Sequence, residues 1–531
     1  MGDSHMIIRT NFTSRHAFKV LGLSLVAALV GLNLAYAGAV AGGRANVVIQ
    51  PEPSGLMMGV VQNGPTLMVS GNIFESLLRY DANLNPMPSL AKSWEVSDDE
   101  MTYTFHLNEN VVWHDGKPFS SEDVVFSIDV FLRELGPRVR VLLESVESIT
   151  APDKNTVVFK LKKPFGPFLG MFDNATMPIV PKHLYAGTDY RNNPNNNTPI
   201  GTGPFRFKEW VKGSYIRLVK NEQYYEPGKP YLDEIYWHVI PDAAARAVAF
   251  ETGAVDILPA GSVENFDVAR LAGLDNACIT QAGWELFSPM SFLWLNNRQG
   301  PTADKRFRQA VMYAMDREFA RDALWNGLGK VASGPISSSV RFHTEDLRQY
   351  EYNPEKAKAL LSEMGYDGTT VRLLPLPYGE IWQRWAEVIK QNLEEVGIKV
   401  ELTPTDVAGW NQKLSEWDYD IAFTYLFQLG DPALGVSRTY LSTNIAKGSP
   451  WNNVQGYENH EVDELFNKAN AVGQEERMSL YGSIQQKLSE DVPVAWLLEL
   501  GFPTIYRCTV KDLVTTAVGV NDGFRDAYIE R

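Results

Sequence analysis

The chain has 531 residues, a formal net charge of −15, 44% hydrophobic residues and 11% aromatic ones. That length supports two or three domains. The acidic balance is a poor match to nucleic acid or to an anionic membrane surface.

Met1 to His5 reads as an expression-vector scar. From Met6 a basic segment carries Arg9, Arg15 and Lys19, followed by the apolar run Val20 to Leu34 and by Ala35-Tyr36-Ala37, a small-x-small cleavage site. Residues 6–37 therefore read as a secretory signal peptide cut after Ala37. The apolar run of 15 residues falls short of the roughly 20 that span a bilayer, and no cysteine lies near the cleavage site to carry a lipid. A soluble, exported protein of a Gram-negative periplasm is expected. In that oxidising compartment Cys278 and Cys508 are able to pair; two buried free thiols are the alternative.

Further along, Asn46 to Gln50 reads as a strand, Pro51-Glu-Pro-Ser-Gly55 as a turn, and Asn72-Ile-Phe-Glu-Ser-Leu-Leu78 as the end of a helix. An apolar helix end is expected again near Met87. Thr102, Thr104 and His106 alternate with Tyr103, Phe105 and Leu107, the period of a half-buried strand. Ser120-Ser-Glu-Asp123 then opens a helix with acids in its first turn. Thr156 to Leu161 is a strand, and the Asn/Pro run Arg191 to Thr198 a solvated loop. Strands are expected at 216–219, 235–240 and 255–258, with a helix over 242–253 between the last two. From about residue 287 strands (292–295, 371–376, 399–402, 420–425, 494–498) alternate with helices (304–315, 353–365, 381–396, 476–490). That alternation predicts an α/β chain with parallel sheets covered by helices.

Residues 87–126, with their Trp113-His-Asp-Gly-Lys-Pro118 turn, resemble the signature of the family 5 extracellular solute-binding proteins, periplasmic receptors that feed peptide, nickel and opine or oligosaccharide ABC importers. Further segments resemble the family in the same order: Gly201-Thr-Gly-Pro-Phe205, Ala249-Phe-Glu-Thr-Gly-Ala-Val-Asp256, Arg306-Phe-Arg-Gln-Ala310, Tyr352-Asn-Pro-Glu-Lys-Ala357 and Gly456-Tyr-Glu-Asn459. The resemblance implies the periplasmic-binding-protein fold: two α/β lobes joined by a hinge, plus an extra α+β domain. The expected partition is a discontinuous lobe I (45–78, 201–286 and 488–531), the extra domain (79–200) and lobe II (287–487). The implied function is solute capture between closing lobes, by a monomer working with an inner-membrane ABC permease, without a cofactor.

Catalytic and metal motifs are missing. There is no Gly-x-Ser-x-Gly, phosphate loop, Gly-x-Gly-x-x-Gly or Cys-x-x-Cys. His106, His114, His183, His238, His343 and His460 lie at no metal-ligand spacing. A binding protein rather than an enzyme is expected. Positions matched to the family's pocket suggest the solute's chemistry. In peptide-binding relatives an Asp four residues before a loop proline pairs with the peptide's α-ammonium; that position here is Gln428, with Asp431 beside Pro432. Trp382, Trp410 and Tyr425 match pocket aromatics, and Gln62-Asn63-Gly64 match a pocket edge. Arg138, Arg140 and Arg438 are candidates for a carboxylate or phosphate contact. Amides, aromatics and arginines together suit an opine, a sugar phosphate or an oligosaccharide-like solute. A peptide receptor is the alternative, ahead of a nickel-chelate binder and a secreted hydrolase.

Overall fold

The computed structural model describes residues 41–61 and 63–530. The expected scar (1–5), the signal peptide (6–37) and Gln62 lie outside them. No helix among the described residues is long and apolar enough to cross a membrane.

Local signals produce the expected elements at most positions. Asn353 accepts a hydrogen bond from the Lys356 N–H and caps the helix Pro354–Met364, which ends on Gly365 at φ 75°. Only the lack of a Cβ makes that left-handed stop cheap. Asp242 and Asp304 cap Ala243–Glu251 and Lys305–Ala314 in the same way. The Asp123 carboxylate accepts from the Ser120 N–H at 2.9 Å, opening the helix Ser121–Val125. Two expectations fail. Residues 72–77 are not helical: the helix lies earlier, at Gly64–Ser70, with a proline in its first turn. The helix end near Met87 is instead the strand Pro86–Pro88, paired with Leu78–Tyr80.

Seven strands form the first sheet, in the order Ala277–Thr280, Thr504–Arg507, Ile257–Leu258, Arg44–Ile49, Glu234–Val239, Tyr215–Lys220 and Phe205–Val211. Six form the second: Lys330–Val331, Val494–Glu499, Pro289–Leu295, Ile421–Phe427, Val371–Leu374 and Val400–Leu402. The α/β class stands, but both sheets are mixed rather than parallel. Only Arg44–Ile49 in the first sheet and Val371–Leu374 in the second pair in parallel with their neighbours. Short links such as Lys212–Ser214, with Gly213 at φ 73°, reverse the chain directly and leave no room for a crossover helix. Val494–Glu499 corrects the partition read from sequence. It lies within 488–531, yet it pairs with Pro289–Leu295 in the second sheet. Pro289–Leu295 is buried at every position between two neighbours; its largely apolar sequence suits a central strand, and the one hydroxyl, Ser291, donates to the Leu498 carbonyl at 3.1 Å.

A third, four-stranded antiparallel sheet is built from Ala91–Val96, Thr102–Leu107, Thr156–Leu161 and Val146–Asp153. Its apolar face shares one contiguous core with the first sheet, whereas the second sheet and its helices hold a separate core. The chain passes between the two large sheets twice, over residues 281–288 and 500–503. Cys278 and Cys508 form a disulfide that joins neighbouring strands at the edge of the first sheet.

Candidate functional site

Both crossings carry aromatic side chains, and these meet. Trp284 and Phe287 lie on the first crossing, Phe502 on the second, and Tyr425 and Phe427 at the end of the strand Ile421–Phe427. Ring centroids are 5.1 Å apart for Trp284–Phe502, 5.5 Å for Phe287–Phe427 and 6.2 Å for Tyr425–Phe502. Together they wall a chamber of about 470 Å³, closed on the first-sheet side by Met58, Leu67 and Met68 and on the third-sheet side by Arg138. Asn63 and Gly64 lie on its rim, where the Asn63 side chain accepts from the Thr66 N–H at 2.9 Å and starts the helix Gly64–Ser70.

Arg138 supplies the chamber's cation. It projects from the helix Pro137–Leu142, and its Nε is buried without a hydrogen-bond partner. Burial pulls its pKa below the ordinary arginine value, partly offset by Asp173. Among the described residues the chamber lining holds no aspartate or glutamate. A largely aromatic and apolar wall beside a guanidinium with an unpartnered Nε favours an anion with an apolar or planar body.

A second chamber of about 390 Å³ adjoins the first. Trp382 stacks on Tyr425 at 5.1 Å and 12° between planes and lines this second space together with Tyr378. A larger cavity, about 680 Å³, lies elsewhere, between Tyr80, Tyr103 and Gly170 on one side and residues 429–434 on the other. Two of its charged groups already have partners: Asp431 pairs with Arg477 at 2.7 Å, and Arg341 donates to the Leu84 carbonyl. Four expected residues (Asn63, Gly64, Arg138 and Tyr425) converge on the 470 Å³ chamber, against one on the larger cavity. The smaller chamber is therefore the better candidate.

Four expected contacts fall elsewhere. Gln428 does not face the chamber: its Oε1 accepts from the Ser337 N–H at 2.7 Å, and its Nε2 donates to the Pro335 carbonyl at 3.0 Å. The chain turns at Leu429, φ 59°, which directs the 428 side chain inward. Trp410 is fully buried against Trp294 and Trp451, because its helix Val407–Glu416 turns that face to the core. Asp431 caps the turn that follows it by accepting from the Ala433 N–H, besides pairing with Arg477, which is itself fully buried. Arg140 points outward, exposed, from the same helix that aims Arg138 inward.

Arg438 is half-buried behind the wall. Its Nη2 donates to the Phe427 carbonyl at 3.1 Å and its Nε to the Gly435 carbonyl at 3.2 Å. Burial, with nearby Arg138 adding to it, pushes its pKa down to about 10. His114 is spent on the 201–203 loop: its ring meets the Gly203 carbonyl at 3.0 Å and the Gly201 N–H at 3.2 Å, and burial lowers its pKa to about 4. No group of three or more His, Cys, Asp or Glu among the described residues is placed to hold a metal.

Sequence reading missed Trp284, Phe287, Phe427 and Phe502. Their segments carry no periodic pattern, and only the pairing of the two crossings makes one wall of them. Phe427 had a weak signal as a further alternate aromatic beyond Phe423 and Tyr425 on one strand.

Comparison with known proteins bears on what such a chamber serves. The family model described as bacterial extracellular solute-binding proteins, family 5, middle, matches residues 85–448. The chain is 29% identical over 459 residues to the oligopeptide-binding protein AppA of Bacillus subtilis, covering 81% of each chain. Its fold is similar to that of the periplasmic binding protein DppA of Helicobacter pylori in complex with the peptide STSA, with a TM-score of 0.78 and 26% identity over 93% of this chain and 99% of that one. It is also similar to AgaA of A. tumefaciens R10 in complex with agropinic acid, with a TM-score of 0.76 and 28% identity over 92% and 99%.

Proposed function

The chain belongs to family 5 of the bacterial extracellular solute-binding proteins, and from that premise we propose that it is a periplasmic ABC-importer receptor for a small organic anion. An opine, a sugar phosphate or an acidic oligosaccharide-like solute fits best. The observation that carries this reading is the unpartnered Arg138 Nε at a chamber with aromatic walls and no lining carboxylate. The agropinic acid complex of AgaA supports it from outside the chain. Capture, not catalysis, is the proposed activity. The protein acts as a monomer: the lobes close about the two crossings, and the closed form docks on the permease. Solute binding favours closure by its greater affinity for that state.

A peptide receptor is the second reading, favoured by the names of AppA and of the DppA complex. Against it stands Gln428, whose amide is committed to Pro335 and Ser337 and offers no anion to a peptide's ammonium. Calorimetry with opine-type acids, sugar phosphates and di- to pentapeptides separates the two. Arg138→Ala is expected to weaken anion binding by about 1.5–3 kcal/mol, roughly ten- to a hundredfold. Peptide binding that is tight and indifferent to Arg138→Ala would overturn the anion reading. Turnover of a bound compound would overturn the capture reading.

A further inference from the structure

Polar groups are scarce in the 470 Å³ chamber, and some of them are already engaged. Among the described residues, only Asn63, Arg138, Trp284, Tyr425 and Asn521 bring a polar side-chain atom to its lining. The Asn63 side-chain carbonyl serves the Thr66 N–H at 2.9 Å, and the Asn521 side-chain amide donates to the Val518 carbonyl at 2.7 Å. The Phe427 backbone carbonyl is taken as well, by Arg438 Nη2 at 3.1 Å. A sugar body enclosed here would give up water at most of its hydroxyls and find few side chains to replace it. Each hydroxyl left bare weakens binding.

The rest of the wall suits a ring. Neighbouring rings meet at steep angles: 64° for Trp284–Phe502, 55° for Phe287–Phe427 and 75° for Tyr425–Phe427. Such a cluster offers both ring edges and ring faces, and a further flat ring packs against it edge to face. Met58 and Met68 add thioethers to the lining, and these also favour contact with a ring. An ammonium, by contrast, is disfavoured. The lining holds no aspartate or glutamate among the described residues, and Arg138 already places a positive charge there, with Arg438 nearby. A ring face attracts a cation by less than an ammonium loses on burial without a carboxylate.

We infer that the solute is an aromatic carboxylate without an ammonium. Its carboxylate sits at Arg138, its flat ring packs against Trp284, Phe427 and Phe502, and a nitrogen, where it has one, is uncharged, as in an amide. This inference rests on the anion reading above and narrows it: among small organic anions, the lining selects those with a flat apolar ring over those with a sugar body.

The test is calorimetry on the native protein with carboxylates that differ in one feature at a time. 3-Phenylpropionate and N-acetylphenylalanine carry the ring and no ammonium, phenylalanine adds the ammonium, 3-cyclohexylpropionate loses the flat ring, and glucuronate and glucose 6-phosphate carry a sugar body. The first two are expected to bind at least about tenfold more tightly than phenylalanine and the two sugar acids. 3-Phenylpropionate is expected to bind about three- to tenfold more tightly than its cyclohexyl counterpart. Phe427→Leu and Phe502→Leu, each checked for native-like melting, should erase that last preference while Arg138→Ala weakens every carboxylate. If glucuronate or glucose 6-phosphate binds as tightly as 3-phenylpropionate while Arg138→Ala weakens it, the aromatic solute is overturned and the anion receptor stands. Phenylalanine binding as tightly as its N-acetyl form overturns the exclusion of the ammonium in the same way. If none of these anions binds, or if Arg138→Ala leaves their binding unchanged, the anion reading falls and this inference falls with it.

Discussion

Gln428→Glu tests whether this side chain belongs to the frame or to the solute. The two residues have the same shape, so the change replaces one NH2 with an oxygen. In the native protein Nε2 donates to the Pro335 carbonyl at 3.0 Å and reaches the Met290 sulfur at 3.4 Å, while Oε1 accepts from the Ser337 N–H at 2.7 Å. At neutral pH the variant sets a carboxylate oxygen against the Pro335 carbonyl and strips that carbonyl of its donor, a loss of about 1–3 kcal/mol. Holding the charge at 6% exposure adds several kcal/mol more. The Ser337 N–H, now bonded to an anion, returns about 1.5–3 kcal/mol. The expected net loss is about 2–4 kcal/mol at pH 7, or on the order of 5–10 °C in melting temperature. The new carboxyl has its folded pKa raised above its unfolded value, so the penalty is full above the folded pKa and vanishes as pH falls through it. Below about pH 4 the protonated acid again donates to Pro335, and the variant should melt with the native protein. Thermal scans by circular dichroism at pH 7 and pH 4 read this directly. Equal melting of the two proteins at pH 7 would refute the frame role and return Gln428 to the list of solute contacts.

Three further outcomes are expected. Asp431→Asn leaves the fully buried Arg477 without its anion and should cost about 3–5 kcal/mol in urea unfolding; replacing both members with apolar residues of similar volume should recover most of that loss. Glu75, whose pKa burial raises to about 7 against the opposing hydrogen bonds from Thr202, Tyr224 and Tyr225, is protonated in the fold across mildly acidic pH. Its stabilising contribution is therefore complete below its unfolded value near 4.5 and is lost progressively as pH rises from there to about 7, so the native protein should melt progressively lower relative to Glu75→Gln between about pH 4.5 and pH 7 and show no further loss above it. A parallel shift of both proteins over that range would exclude Glu75 as the source. Cys278→Ser with Cys508→Ser opens a link spanning 230 residues and should lower stability by about 2–5 kcal/mol, measured as a fall in melting temperature that added reductant reproduces in the native protein and leaves unchanged in the variant.

Helix ends and strand periods were readable in the sequence because the interactions that fix them are local. Asn353 and Gly365 bracket their helix through contacts within a few residues, and Thr102–Leu107 alternates because its two faces meet core and solvent. The mixed sheets were not readable. Strand direction depends on whether a link reverses or crosses over, and Val494–Glu499 finds its partner some 200 residues away at Pro289–Leu295. The site divides along the same line. Arg138, Tyr425, Asn63 and Gly64 were accessible by matching to a family pattern. Gln428, Trp410 and Asp431 carried suggestive identities, but a positive φ at Leu429, an inward helix face and a buried arginine turned them into supports. Sequence thus determined which residue types were available and where helices and strands begin. Only the tertiary structure decided which of them face the chamber, because it is assembled from segments near 63, 138, 284, 425 and 502 whose side-chain directions depend on contacts between sheets.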